Sequence, residues 1–111
     1  MARPHYNKYR NVTTERDGVM FASKKEAARY QELKVQQHAG WIRDLIVQPR
    51  FPLIVNEVKI AVYIADFQYV ECETGQTVVE DCKGGRGTIT PVYRLKKKLM
   101  FALYLLDVVE V

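Results

Sequence analysis

Apolar positions recur at helical spacing in two stretches of this chain, one early and one late, and between them gather into short β-branched and aromatic runs. A first helix is expected from Ser23 to about Gly40. Ser23, Lys24, Lys25 and Glu26 fit a capping box, in which a hydroxyl and a carboxylate three residues apart satisfy amides at the helix start. Glu26, Tyr30, Leu33 and Gln37 form its inner stripe, and His38 is a helix-end cation or surface residue. A second helix begins at Pro91, with Val92, Leu95, Leu99, Ala102 and Leu106 as its expected buried stripe.

Strands fill the interval. Val19, Met20 and Phe21 make a short strand or an apolar anchor, Trp41 reads as a core anchor, and Ile42 with residues 45–47 leads to Pro49. A strand is expected at 51–55 after that proline break, a turn at 56–59, and a strand at 60–70 that is apolar on both faces and therefore central. Residues 77–83 form the next strand, and Val108, Val109 and Val111 close the sheet. The class is α/β (α+β): a mixed β-sheet flanked by two helices, in the order αβββαβ. Residues 1–16 follow neither period and mix Tyr6 and Tyr9 with Lys8 and Arg10, which suggests a basic flexible arm ahead of a single domain at 17–111.

Charged residues interrupt the two central strands at informative places. With a turn at residues 73–76, Val70 pairs with Val79, Gln68 with Asp81, and Asp66 with Lys83. Side chains alternate along a strand, so Asp66, Gln68, Asp81 and Lys83 share one face, with the two acids on a diagonal about 7–8 Å apart. Spacing alone admits two readings: Asp66 pairs with Lys83 as a structural ion pair, or the two acids share a cation beside the ammonium. Two acids for one lysine favour the cation. Glu80 and the Cys82 side chain fall on the opposite face, as do Cys72 and Cys82 relative to one another, which argues against a disulfide between them. Cys82 reads as a small core residue. Glu26 either bonds back to the amide of Ser23 or reaches the site directly or through water.

At 111 residues the chain has room for one domain, and 48% hydrophobic residues make it globular. No apolar run approaches the about 20 residues that span a bilayer, and the first residues lack a signal peptide's apolar stretch, so the cytoplasm with reduced thiols is expected. Lys and Arg number 17 against 13 Asp and Glu, a net charge of +4, with basic clusters at residues 3–10 and 94–98. A polyanion is therefore a plausible partner. Lys8, Arg10, Arg86, Arg94, Lys96, Lys97 and Lys98 are the candidate phosphate contacts, although such runs are also commonly solvated faces. Gly84, Gly85, Arg86 and Gly87 look like a phosphate cradle, but no Gly-Lys-Ser/Thr follows, so a flexible loop that lets backbone approach the site is the simpler reading.

The element order, with Asp66 on one strand and Asp81, Cys82 and Lys83 on the next, resembles the PD-(D/E)XK nuclease superfamily and its restriction-endonuclease-like core. Residues 21–27, 42–45 and 90–98 are similar to small phage and prophage proteins assigned to that superfamily, and the likeness covers nearly the whole chain beyond the arm. Ala65 stands where the motif's proline would be. The resemblance implies a DNA endonuclease that hydrolyses phosphodiester bonds of branched or recombining phage DNA, working as a homodimer, in the bacterial host cytoplasm if phage-encoded. It implies Asp66 and Asp81 as ligands of Mg2+ or Mn2+, with the Cys82 backbone carbonyl as a further ligand. Lys83 then holds the attacking water or the transition-state charge, Glu26 is the helix-one acid, and Glu80 is a fallback. Oxygen donors suit these ions, and no His and Cys cluster suggests zinc. The alternatives are a non-catalytic nucleic-acid-binding module and a subunit of a phage replication or packaging complex.

Overall fold

The computed structural model describes residues 12–84 and 87–111. Lys8, Arg10 and Arg86, and most of the expected arm, lie outside them. Where the described chain begins, β1 (Thr14–Arg16) pairs antiparallel with β2 (Val19–Phe21), so the last residues of the segment read as an arm belong to a hairpin. Ser23 then adopts an extended backbone and its Oγ accepts the Glu26 amide at 3.1 Å, which starts α1 (Lys24–His38) where the capping pattern placed it. Ala27, Tyr30 and Leu33 are the buried face of α1, packed with Phe21, Ile42, Phe67 and Tyr69. Each such apolar side chain contributes roughly 1.5–3 kcal/mol on burial.

Five strand segments follow: β3 (Ile42–Val47), β4 (Arg50–Val55), β5 (Val58–Ile64), β6 (Phe67–Glu71) and β7 (Thr77–Asp81). β3 pairs with β6 and β4 with β5, all antiparallel. The gaps between these pairs are bridged, since the Gln48 N–H donates to the Asp66 carbonyl at 2.9 Å and the Ala65 N–H to the Pro49 carbonyl at 3.2 Å. Residues 42–55 and 58–71 are thus two long strands of one hairpin, each bent near its middle. The expected unbroken central strand at 60–70 is corrected accordingly: it bends at Ala65 and Asp66, and only its second half is central. Asn56 and Glu57, both with positive φ (49° and 66°), close the tight turn at the hairpin tip.

One four-stranded mixed sheet runs β3-β6-β7-β8, with β8 (Val109–Glu110) parallel to β7. α2 (Pro91–Tyr104) is capped by Thr90, whose Oγ1 accepts the Tyr93 amide at 3.1 Å. The expected stripe on α2 holds only at Leu99 and at Leu106 just past the helix, both packed against the core. Tyr93 and Met100 are the buried residues and Leu99 packs at the edge, whereas Val92 is 61% and Leu95 56% exposed and Ala102 faces outward. The helix rests on the bent β4–β5 hairpin through a tyrosine whose hydroxyl has a partner and through the partly buried Lys96 stem, residue types that apolar counting assigns to the outside. Trp41 is likewise not a core anchor, being 70% exposed.

Candidate acid and lysine site

The site forms where the bend in the second long strand meets the end of β7. β6 and β7 pair Phe67 with Glu80, Gln68 with Val79 and Val70 with Thr77, and the Asp66 N–H donates to the Glu80 carbonyl at 3.1 Å. This register differs by two residues from the expected one, because the loop spans residues 72–75, closed by the Glu71 N–H to the Gln76 carbonyl at 2.9 Å. A two-residue shift preserves side-chain parity. The two acids stay on one face with their carboxyls in hydrogen-bonding contact, Lys83 remains on that face, and Gln68 pairs with Val79 instead of Asp81.

The contacts around the two acids define the chemistry. Asp66 Oδ2 accepts the Cys82 N–H at 2.6 Å, and the Tyr63 hydroxyl donates to Asp81 Oδ2. Lys83 Nζ lies 3.4 Å from Asp81 Oδ1 and 3.8 Å from the centroid of the Tyr93 ring. The backbone is pinned to the last strand, with the Val111 N–H donating to the Asp81 carbonyl and the Lys83 N–H to the Val111 carbonyl, each at 3.0 Å. Lys83 thus pairs with Asp81 and not, as the ladder count had it, with Asp66.

Burial first, then the hydrogen-bonding contact and charge of Asp81 and the charge of Glu26, push the Asp66 carboxyl up to about 8, against the opposing pull of the Cys82 amide. Two acids so close hold more negative charge than one neighbouring ammonium offsets, and a shared proton or a divalent cation relieves it. Burial, followed by the charges of Asp66, Glu26 and Glu80, also pushes the Cys82 thiol up to about 12, so it is an inert side chain packed against the α1 core. Cys72 and Cys82 both carry free thiols.

The other expected residues are placed unevenly. Glu26 caps its own helix: Oε2 accepts the Ala22 N–H at 2.8 Å, one residue before the amide expected, while its charge still bears on Asp66. Among the described residues no group of three or more His, Cys, Asp or Glu side chains is gathered as a metal cluster. Glu80 faces α1 as anticipated, 1% exposed, held by Arg29 through Nε at 2.8 Å and Nη2 at 2.6 Å and by the Tyr69 hydroxyl. Lys96 lines a cavity of about 360 Å³ with Asp81, Lys83 and Tyr93, its Nζ donating to the Val62 carbonyl at 3.2 Å. Lys97 pairs with Glu110 at 3.1 Å, and Arg94 and Lys98 line a separate groove on the other flank of α2.

Several participants went unnoticed in the sequence. Tyr63 and Tyr93 touch the charged pair directly, and Lys25 Nζ donates to the Lys83 carbonyl at 2.8 Å. Lys24 and Lys25, with Glu26, Cys82 and Gly84, line a second cavity of about 290 Å³. The one local signal for these lysines was their position inside the capping box. A larger cavity of about 490 Å³ beside Trp41, Glu71 and Glu73 lies at the far end of β6 and contains none of the acid and lysine cluster.

No helix among the described residues is long and apolar enough to cross a membrane. No curated protein and no solved structure matches the chain significantly. A family model does match, over residues 6–109, which takes in both helices, β1 to β7, the start of β8 and the acid and lysine site. The chain belongs to the family described as "Protein of unknown function (DUF1064)".

Proposed function

We propose that the chain is a divalent-metal-dependent DNA endonuclease that hydrolyses phosphodiester bonds, with branched or recombining DNA as its substrate class and a homodimer as its working unit. The observation that carries this reading is the Asp66 carboxyl in hydrogen-bonding contact with Asp81, with the Lys83 ammonium 3.4 Å from the second acid. Supporting it, the elements after β2 run helix, three strands, helix, strand once each bent strand is counted as one. That is the order of a restriction-endonuclease-like core in the PD-(D/E)XK superfamily.

The donor set fits magnesium or manganese. Hard oxygen ligands suit these ions, and the Asp66 carboxyl, raised first by burial and then by its contact with Asp81, would exchange its proton for such a cation. Asp66 and Asp81 would hold the ion, with the Cys82 carbonyl as a further oxygen and Glu26 reaching it through water. When bound, such an ion lowers the pKa of water and polarises a phosphoryl oxygen. Lys83 orients the attacking water and offsets the charge that develops on the phosphate, since its ammonium sits on the acid face of the sheet. Lys24, Lys25 and Lys96 line the two adjoining cavities and neutralise flanking phosphates.

A second reading, a nucleic-acid-binding module without catalysis, has one observation in its favour: the described residues hold two adjacent acids and no larger metal-binding group. Linear, flapped and four-way-junction DNA incubated with magnesium or manganese separates the two. The nuclease reading expects cutting by the wild type, abolished in Asp81→Ala. Cutting that survives Asp81→Ala refutes the site, and tight binding without cutting in any condition favours the module.

A further inference from the structure

We infer that Tyr93 is a positioning residue for Lys83, holding its ammonium on the acid face of the sheet; the inference rests on the nuclease reading for its kinetic consequence alone. The Lys83 backbone is held by the Val111 and Lys25 contacts, but its four-carbon stem is flexible and needs a further hold to aim the ammonium. Its contact with Asp81 Oδ1, at 3.4 Å, is looser than a direct charge-assisted hydrogen bond. The face of the Tyr93 ring supplies a second hold, with Nζ 3.8 Å from the centroid.

The ring is itself fixed at both ends. Its backbone amide donates to Thr90 Oγ1 at 3.1 Å in the α2 cap, and its hydroxyl donates to Glu110 Oε2 at 2.8 Å. Glu110 belongs to β8, the strand that pairs with Asp81, and is anchored further by Lys97 at 3.1 Å. Tyr93 is 7% exposed and packs near Tyr63, ring centroids 6.4 Å apart, while Tyr63 holds the other Asp81 oxygen. Helix cap, last strand and core therefore converge on one ring plane, and the ammonium lies over it.

The test combines a spectroscopic readout with kinetics. In 13C-labelled protein the Lys83 ε-CH2 resonance, assigned by its loss in Lys83→Gln, is expected upfield of ordinary lysine positions through the ring current. Tyr93→Phe should keep that shift and Tyr93→Leu should abolish it. On a DNA substrate that the wild type cuts, Tyr93→Leu should lower kcat about tenfold with KM unchanged, and Tyr93→Phe should stay within about twofold. An ordinary Lys83 resonance in the wild type overturns the inference without any Tyr93 variant having to fold. Equal loss of kcat in the Phe and Leu variants overturns it too, because a role confined to the hydroxyl is not a hold on Lys83. A wild type that cuts no DNA removes the nuclease reading, and the ring-current shift then still decides whether Tyr93 holds Lys83.

Discussion

Asp66 concentrates the physical tension of the site. Its carboxyl is raised from an ordinary 3.8 to about 8 by burial and by Asp81, so the folded protein keeps a proton that the unfolded chain releases within that interval. The protonated form's contribution to stability is complete below about pH 4 and is lost as pH rises through about 8. Urea midpoints of the metal-free protein should therefore fall between about pH 5 and pH 8, and Asp66→Asn, which keeps an acceptor for the Cys82 amide, should flatten that slope; a midpoint that rises across this range in the wild type alone contradicts the assignment. At this scale the sequence was informative about residues that break a pattern. Asp66, Asp81 and Lys83 interrupt apolar strands and were visible for that reason, whereas Tyr63, Tyr93 and Lys25 conform to the patterns of their own elements and become site residues only through contacts made far along the chain.

Among elements, α1 shows how local rules succeed. The Ser23 cap, the buried Tyr30 and Leu33, and the end at His38 all follow from interactions within one or two turns. Its tie to the sheet does not, because Arg29 reaches a glutamate fifty-one residues away. Glu80 is 1% exposed and paired through both oxygens, so Arg29→Ala leaves a buried carboxylate with only the Tyr69 hydroxyl. The expected cost is about 3 kcal/mol, measured by urea unfolding, and a loss below about 1 kcal/mol would show the pair to be dispensable. The strand register was partly legible in the same way. Alternation put both acids and the lysine on one face correctly, but which residue opposes which depended on a loop of four residues whose placement, one position earlier than expected and so two residues in register, no local propensity distinguishes.

For the whole molecule, the consequential surprise is the outward apolar flank of α2. Val92 and Leu95 are more than half exposed and Leu103 is 38% exposed, while the helix buries Tyr93 and Met100 instead. The homodimer in the functional proposal would cover this flank. Sedimentation should accordingly report a dimer for the wild type and a folded monomer for Leu95→Lys, and a wild type that stays monomeric at high concentration would remove the dimer from the proposal. By itself the amino-acid sequence determined the element types, the helix starts and the face shared by Asp66, Asp81 and Lys83, because capping and alternation act between residues a few positions apart. Only the tertiary structure decided the bends at residues 48–49 and 65–66, the direct contact of the two acids, the inward face of α2 and the ring beneath Lys83. Each of these follows from segments distant in the chain competing for the same contacts, and side-chain periodicity carries no record of that competition.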